Sequence, residues 1–419
     1  MFFPNRLKVS APLLYVIAIG LGLVTGFYAQ PIFFTVATYV SDVFMNLLKL
    51  VSTPIIFLSI VTVASGMENM STMAKMGKKV IKYTVITTLL AATVALGVFL
   101  VIDPVSGASH IAKEFTGAAS SEQGSYWAHL LDIVPSNIVE PFASNNIIGV
   151  LLIAFIMSLG MFAVPPMQRN VLHGVFSAFY SVFMKITAFI VRLIPIALWA
   201  FIALFVRDMK AGLDVKAIGL YLLAVLLANV IQGFIVLPAL LKAKGVPPMK
   251  LAKAMFPALT VAFFTKSSSA TVPSAVRCAE ERGNIDSKVA SFAFPLCTSI
   301  NMNGCAAFIL ITVLFVSMLN GFTFSGVELV LWIFMATLAA IGNASVPMGC
   351  FFLASAFLVA MNVPLNIMWV ILPFYAVLDA IETALNVWSD SCVAAVVDKE
   401  LKEVAPEPIL SNTLDFAKN

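Results

Sequence analysis

Apolar stretches of span length recur along the chain near residues 10–29, 43–65, 80–102, 146–165, 174–206 and 217–241. A helix needs roughly 20 such residues to cross the hydrocarbon core of a bilayer, so these predict six spans. Beyond Lys253 the pattern changes. Apolar sequence continues almost to 397, but polar clusters interrupt it at Lys266-Ser267-Ser268-Ser269, at Asn301-Met302-Asn303-Gly304, and from Asn343 to Gly349. Lipid offers backbone groups no hydrogen-bond partner, so a broken helix survives at depth only inside protein or beside a water-filled cavity. Two interruptions share a form: the small, polar, proline-containing tips Ser267 to Pro273 and Asn343 to Gly349, each followed by apolar sequence and then a full span. This predicts two re-entrant hairpins in an inverted repeat, with tips meeting at a midplane site, rather than two kinked helices.

Composition agrees with a membrane solvent. Hydrophobic residues make up 61% and charged residues 11% of the 419 positions, and the mean hydropathy is +1.00. A soluble domain is about 45–50% apolar and about 25% charged. The net charge of +4 is too small to argue for nucleic acid, but its placement orients the chain. Arg6 and Lys8 precede the first span, Lys75, Lys78, Lys79 and Lys82 follow the second, and Lys242, Lys244, Lys250 and Lys253 follow the sixth. The 103–145 loop leans acidic. Positive-inside reasoning puts the N-terminus and both lysine-rich loops in the cytoplasm, and the 103–145 loop outside. The tail is expected in the cytoplasm as well. The five cysteines all lie in the second half without a repeated CxxC, which suggests packing residues rather than a disulfide framework.

The last span carries the chemistry. Asp379, Thr383, Asn386 and Asp390 fall within about 60° of one another at about 100° per residue, with Glu382 about 60° to the side. Each carboxylate facing lipid at the bilayer centre would cost at least about 2.5–3.5 kcal/mol, so the stripe must line a site for cations, ammonium groups or protons. A seam that merely locks helices together would suffice for one asparagine but not for four aligned groups. Gly304 permits unwinding beside Asn301 and Asn303, which frees carbonyl oxygens for an ion; a structural kink is the alternative. Lys266 next to three serines could suggest a nucleophile with its base. His110, His129 and His173 lie in or near loops, however, and neither HExxH nor GxSxG occurs, so the chain is not read as an enzyme. Serine hydroxyls and amides at a hairpin tip suit a substrate carboxylate instead.

Together Lys266 to Pro273, Asn301 to Gly304, and Asp379 to Asn386, with Thr53-Pro54-Ile55-Ile56-Phe57 and Pro195-Ile196-Ala197, resemble the dicarboxylate/amino acid:cation symporter family, the glutamate-transporter fold. The resemblance covers nearly the whole chain. It implies an all-α polytopic homotrimer of eight transmembrane helices and two re-entrant hairpins. A scaffold would comprise 1–74 (spans 1–2) and 106–210 (spans 4–5 with the extracellular loop). A transport domain would comprise 75–105 (span 3) and 211–400 (span 6, both hairpins, spans 7 and 8), leaving 401–419 as a cytoplasmic tail. Implied substrate contacts are Ser267, Ser268, Ser269, Val346, Pro347, Met348, Gly349, Asp379, Glu382, Thr383 and Asn386. The implied sodium set is Cys297, Asn301, Asn303, Asn386 and Asp390.

Two departures shape the expected specificity. Span seven normally reads Asn-Met-Asp-Gly-Thr in this family, and here Asn303 and Cys305 replace the aspartate and the threonine. Acidic-substrate members carry arginine where this chain has Glu382. The run Glu382-Thr383-Ala384-Leu385-Asn386 looks more like the bacterial sodium/serine-threonine symporters. The expectation is a sodium-coupled symporter of a small neutral amino acid in a bacterial inner membrane, with sodium as co-substrate and no organic cofactor. A proton- or sodium-coupled glutamate, aspartate or dicarboxylate carrier is the alternative, and a solute-gated channel or a membrane hydrolase would be a different class.

Overall fold

A computed structural model describes residues 11–65, 72–105, 135–143, 147–210, 215–343, 345 and 348–404. Arg6, Lys8, most of the 103–145 loop, the tail beyond 404, and the tip residues Val346 and Pro347 lie outside the described residues. Among the described residues the chain is almost entirely helical and contains no strand. The first helices are α1 (Ala11–Tyr28), α2 (Pro31–Ser65) and α3 (Thr72–Ile102), then the single turn α4 (Glu140–Ala143) and α5 (Ile147–Ala163). The apolar run at 174–206 does not form one helix. It divides between α6 (Pro166–Val191) and α7 (Ile194–Lys210). Pro195 explains the break, because it has no N–H to give to the carbonyl one turn earlier and its ring crowds that carbonyl, while it is tolerated in the first turn of α7.

The run at 217–241 becomes α8 (Val215–Ile231), a π-helical turn at Gln232–Val236 and α9 (Leu237–Ala243). Next come α10 (Pro248–Thr265), α11 (Ser268–Glu281), α12 (Ser287–Ile300) and α13 (Asn303–Leu319). The chain closes with α14 (Gly326–Gly342), α15 (Gly349–Ala360) and α16 (Asn366–Val404). Three described stretches are long and apolar enough to cross a membrane: Met76–Ile102, Val215–Ala243 and Ser287–Leu319. A fourth is α16, which contains Pro373 and bends by 61° between its Ile367–Tyr375 and Val377–Glu403 parts. Large side chains such as Phe234, Phe264 and Val101 point outward, as a lipid-facing surface requires.

Two groups of helices emerge from the packing. In the first, α1 lies along α7, and α2 packs on α5, α6 and α7. The α1–α7 approach depends on Gly22 and Gly26, since a Cβ on Gly26 would sit 2.4 Å from the Cβ of Val206. In the second group α13 is nearly wholly buried, surrounded by α3, α8, α14, α15 and α16. Between the groups, Phe201 of α7 stacks on Trp369 of α16 with centroids 5.3 Å apart.

Both polar tips form helix–turn–helix units, by different means. α10 packs against α11 across the turn at Lys266-Ser267. There Lys266 adopts the left-handed conformation, and Ser267 caps α11 by accepting from the Ala270 N–H at 3.2 Å. The arms of the second unit, α14 and α15, both lie on α13 and meet through Trp332 against Phe357. Its tip has Ser345 and Met348 in the left-handed region. At one end of the molecule the lysine-rich stretches converge: Lys79 lies 2.5 Å and Lys244 3.0 Å from the Glu400 carboxylate on α16, and Tyr83 also donates to it.

Candidate functional site

The helix broken at Asn301–Met302 is the centre of the site. With no helical conformation at these two residues, the first N–H groups of α13 and the last carbonyls of α12 have no intrahelical partner. Side chains of α16 supply partners. Asn386 Oδ1 accepts from the Gly304 N–H at 2.8 Å. A Cβ on Gly304 would lie 2.8 Å from Glu382 Cα, so only glycine allows α13 this close to α16.

On one side of the break is a small cavity between both tips and α16. Its wall includes Lys266, Ser268, Ser345, Gly349, Asp379, Glu382, Thr383 and Asn386. The cavity measures about 20 Å³, room for a single water and far too little for an amino acid. In this conformation the cavity does not hold an amino acid, so its wall must rearrange to take one. Asp379 faces the cavity with Tyr375 Oη 3.5 Å from its Oδ1, and lies within electrostatic reach of Lys266. Glu382 is 1% exposed, and among the described residues neither of its carboxylate oxygens has a hydrogen-bond partner, so it is not hydrogen-bonded to Lys266. Thr383 Oγ1 donates back to the Asp379 carbonyl at 2.7 Å.

Of the expected substrate contacts, Ser268, Gly349, Asp379, Glu382, Thr383 and Asn386 come together on this wall. Ser267 is occupied as the cap of α11, Ser269 faces outward, and Met348 precedes α15 without lining the cavity.

Behind the break is a second, more polar cluster. Asn301 Nδ2 donates to Asp390 Oδ1 and to Ser389 Oγ, each at 2.9 Å, and Thr298 Oγ1 lies 3.4 Å from Asp390 Oδ2. Thr87 of α3 donates to Asn301 Oδ1 at 2.9 Å, and Asn303 Nδ2 does so at 3.0 Å. Asn303 Oδ1 in turn accepts from Gln232 Nε2 at 2.7 Å. The π turn of α8 carries that glutamine, which also donates to the Thr87 carbonyl.

The five expected sodium residues thus divide three ways. Asn301 and Asp390 form one oxygen-rich cluster, and Asn303 joins it by donating to Asn301 while accepting from Gln232. Asn386 is turned to the break. Cys297 contributes its carbonyl to the Asn301 N–H at 2.7 Å, a helix-end bond. Sequence reasoning missed Thr87, Gln232, Thr298 and Ser389. Gln232 alone had a visible signal, as a long amide inside an apolar run. The cysteines also depart in part from a pure packing role: Cys278, Cys297 and Cys392 are free and buried, whereas Cys305 and Cys350 are bonded across the cavity wall. They meet because the second tip folds onto the start of α13.

Known proteins resemble the chain over most of its length. The model of the sodium:dicarboxylate symporter family matches residues 12–400. The chain is 30% identical over 299 residues to glt-4 of Caenorhabditis elegans, a protein named for sodium-dependent excitatory amino acid transport; the match covers 70% of this chain and 58% of the worm protein. It is 26% identical to the bovine neutral amino acid transporter B(0), covering 92% of this chain and 78% of that protein. Mouse excitatory amino acid transporter 3 is 25% identical, with 90% and 81% covered. A match running from the first helix to the last means that the chain belongs to the sodium:dicarboxylate symporter family.

Proposed function

We propose that this protein is a secondary symporter coupling sodium entry to uptake of a small neutral amino acid of the serine, threonine or alanine type, by alternating access. The observation that carries the substrate class is Glu382 beside Asp379 on the cavity wall, buried and without a hydrogen-bond partner. Asp379 is suited to the substrate ammonium, since a charge-assisted bond in a dry site is stronger than a neutral one. The N-terminus of α11, with Ser268 in its first turn, is suited to the substrate carboxylate. A second carboxylate on the substrate would then face Glu382. One lysine, Lys266, shares the wall with two carboxylates, and that balance favours a zwitterion over an anion.

The ion assignment rests on the cluster behind the break, where Asp390, Asn301, Thr87, Thr298 and Ser389 concentrate oxygens. Hard cations take such ligands. Asn303 is already committed to Gln232, so we assign it to the shell around the ion rather than to the ion itself.

For the architecture we propose eight spans and two re-entrant hairpins. α10–α11 and α14–α15 are the hairpins; α1, α2, α5–α6 and α7 form a scaffold; and α3, α8–α9, α12–α13 and α16 move with both hairpins. All cavity-lining groups come from the second set, as a carrier moving its site in one body requires. A homotrimer in a bacterial inner membrane, with the Lys79–Lys244–Glu400 end in the cytoplasm, completes the proposal.

The test is competition against labelled serine uptake in proteoliposomes with an inward sodium gradient. Serine, threonine and alanine should compete and aspartate hardly, and Glu382→Arg should shift competition toward aspartate. If unlabelled aspartate outcompetes serine in the unaltered protein, the acidic carrier replaces the neutral one. Lys266 on the cavity wall is the feature such a carrier would use.

A further inference from the structure

Cys305 at the start of α13, Cys350 at the start of α15 and Glu382 on α16 bring their sulfurs and one carboxylate oxygen within 4.8 Å of one another. All three residues are buried, at 3%, 3% and 1% exposure. None of the three lies within five residues of another in sequence, so the grouping is created by the fold. We propose that, with the two cysteines in their thiol form, these residues are a site for a soft divalent cation of the zinc class.

Several independent features point to a ligand there. Both Glu382 oxygens are buried without a hydrogen-bond partner, which is costly unless something else meets them. The sulfurs are surrounded by amide donors: Asn343 Nδ2 lies 3.0 Å from Cys305 Sγ and 3.6 Å from Cys350 Sγ, and Asn386 Nδ2 lies 3.7 Å from Cys305 Sγ. Donors aimed at sulfur favour its charged, metal-binding form and fix its direction, as outer-shell partners do in metal sites. Two thiolates with one carboxylate are a donor set that zinc-class ions accept and sodium does not. The Cα atoms of Cys305 and Cys350 are 5.2 Å apart, so both sulfurs reach one point without backbone movement.

The chemistry balances simply. A small thiol reductant opens the Cys305–Cys350 bond, which takes up two electrons and two protons while the reductant becomes its own disulfide. A divalent cation then replaces both thiol protons, which leave to solvent. Bound there, the cation ties α13, α15 and α16 together at the cavity wall. It therefore acts as a clamp on the rearrangement of the wall that solute entry demands.

The full chain in detergent, reduced with a phosphine and desalted, is titrated with cadmium alone while thiolate-to-metal absorption is followed. One cation per chain is expected, released by a chelator. Cys305→Ser and Cys350→Ser should each abolish high-affinity binding, and Cys392→Ser, at a buried cysteine elsewhere, should leave it unchanged. Glu382→Gln should keep the thiolate band but weaken affinity by about tenfold or more, the scale carried even by outer-shell partners. Absence of the band in folded, reduced protein overturns the proposal, as does equal binding by Cys350→Ser or by the oxidised chain. Binding is read without transport, so its failure leaves the symport proposal standing, and a failure of symport leaves the cation site standing.

Discussion

Replacing Asp390 by asparagine removes one formal charge from the cluster between α12 and α16 and leaves side-chain length unchanged. In the structure Asp390 is 1% exposed and accepts from Asn301 at 2.9 Å, with Thr298 more distant at 3.4 Å. A hydrogen bond to a charged group contributes about 1.5–3 kcal/mol and a neutral one about 0.5–1.5 kcal/mol. A cation held by the Asp390 oxygen loses at least the same difference when that oxygen becomes a neutral amide's, on the order of 1 kcal/mol. At about 1.4 kcal/mol per tenfold, the sodium concentration giving half-maximal uptake should rise about fivefold or more. The assay is initial-rate uptake of labelled serine into proteoliposomes as external sodium replaces choline. Asn301→Ala makes a companion test. It strips the buried Asp390 of its nearest donor, and a buried polar group left without its partner costs about 1–3 kcal/mol, so it should lower thermal stability as well. Unchanged sodium activation in Asp390→Asn would refute the assignment. So would full uptake in choline driven by a pH gradient alone, which would identify the proton as the coupling ion.

Two further predictions concern the cavity. Asp379→Asn should abolish substrate binding by calorimetry while the protein still inserts and assembles; binding as tight as in the unaltered protein would remove Asp379 from its role toward the ammonium. Gly349→Ala places a Cβ 1.6 Å from Asn343 Oδ1 at the second tip, so the buried Asn343 amide must be displaced. Overpacking of this kind costs about 1–3 kcal/mol, and uptake should fall with a lowered melting temperature, whereas normal values of both would mean that the tip is looser than its packing indicates.

The hydrophobic pattern by itself located the apolar cores of the helices before Lys253 and the three interruptions beyond it, because apolar span length and polar residues at depth are properties of the local sequence. It also placed Asp379, Asn386 and Asp390 on one stripe, since helical periodicity is fixed by backbone geometry. The split of 174–206 at Pro195 was equally a local property, though an unbroken apolar run concealed it. Partnership was decided only in three dimensions. Nothing near Thr87 or Gln232 in sequence says that one donates to Asn301 and the other to Asn303, for they sit on α3 and on the π turn after α8. Likewise Asn386, aligned with Asp390 on its helix, turns to the Gly304 N–H because the broken backbone of α13 arrives there. Cys305, Cys350 and Glu382 converge for a similar reason: a tip folded onto a neighbouring helix brings together residues of three separate segments, and no spacing along the chain encodes that meeting.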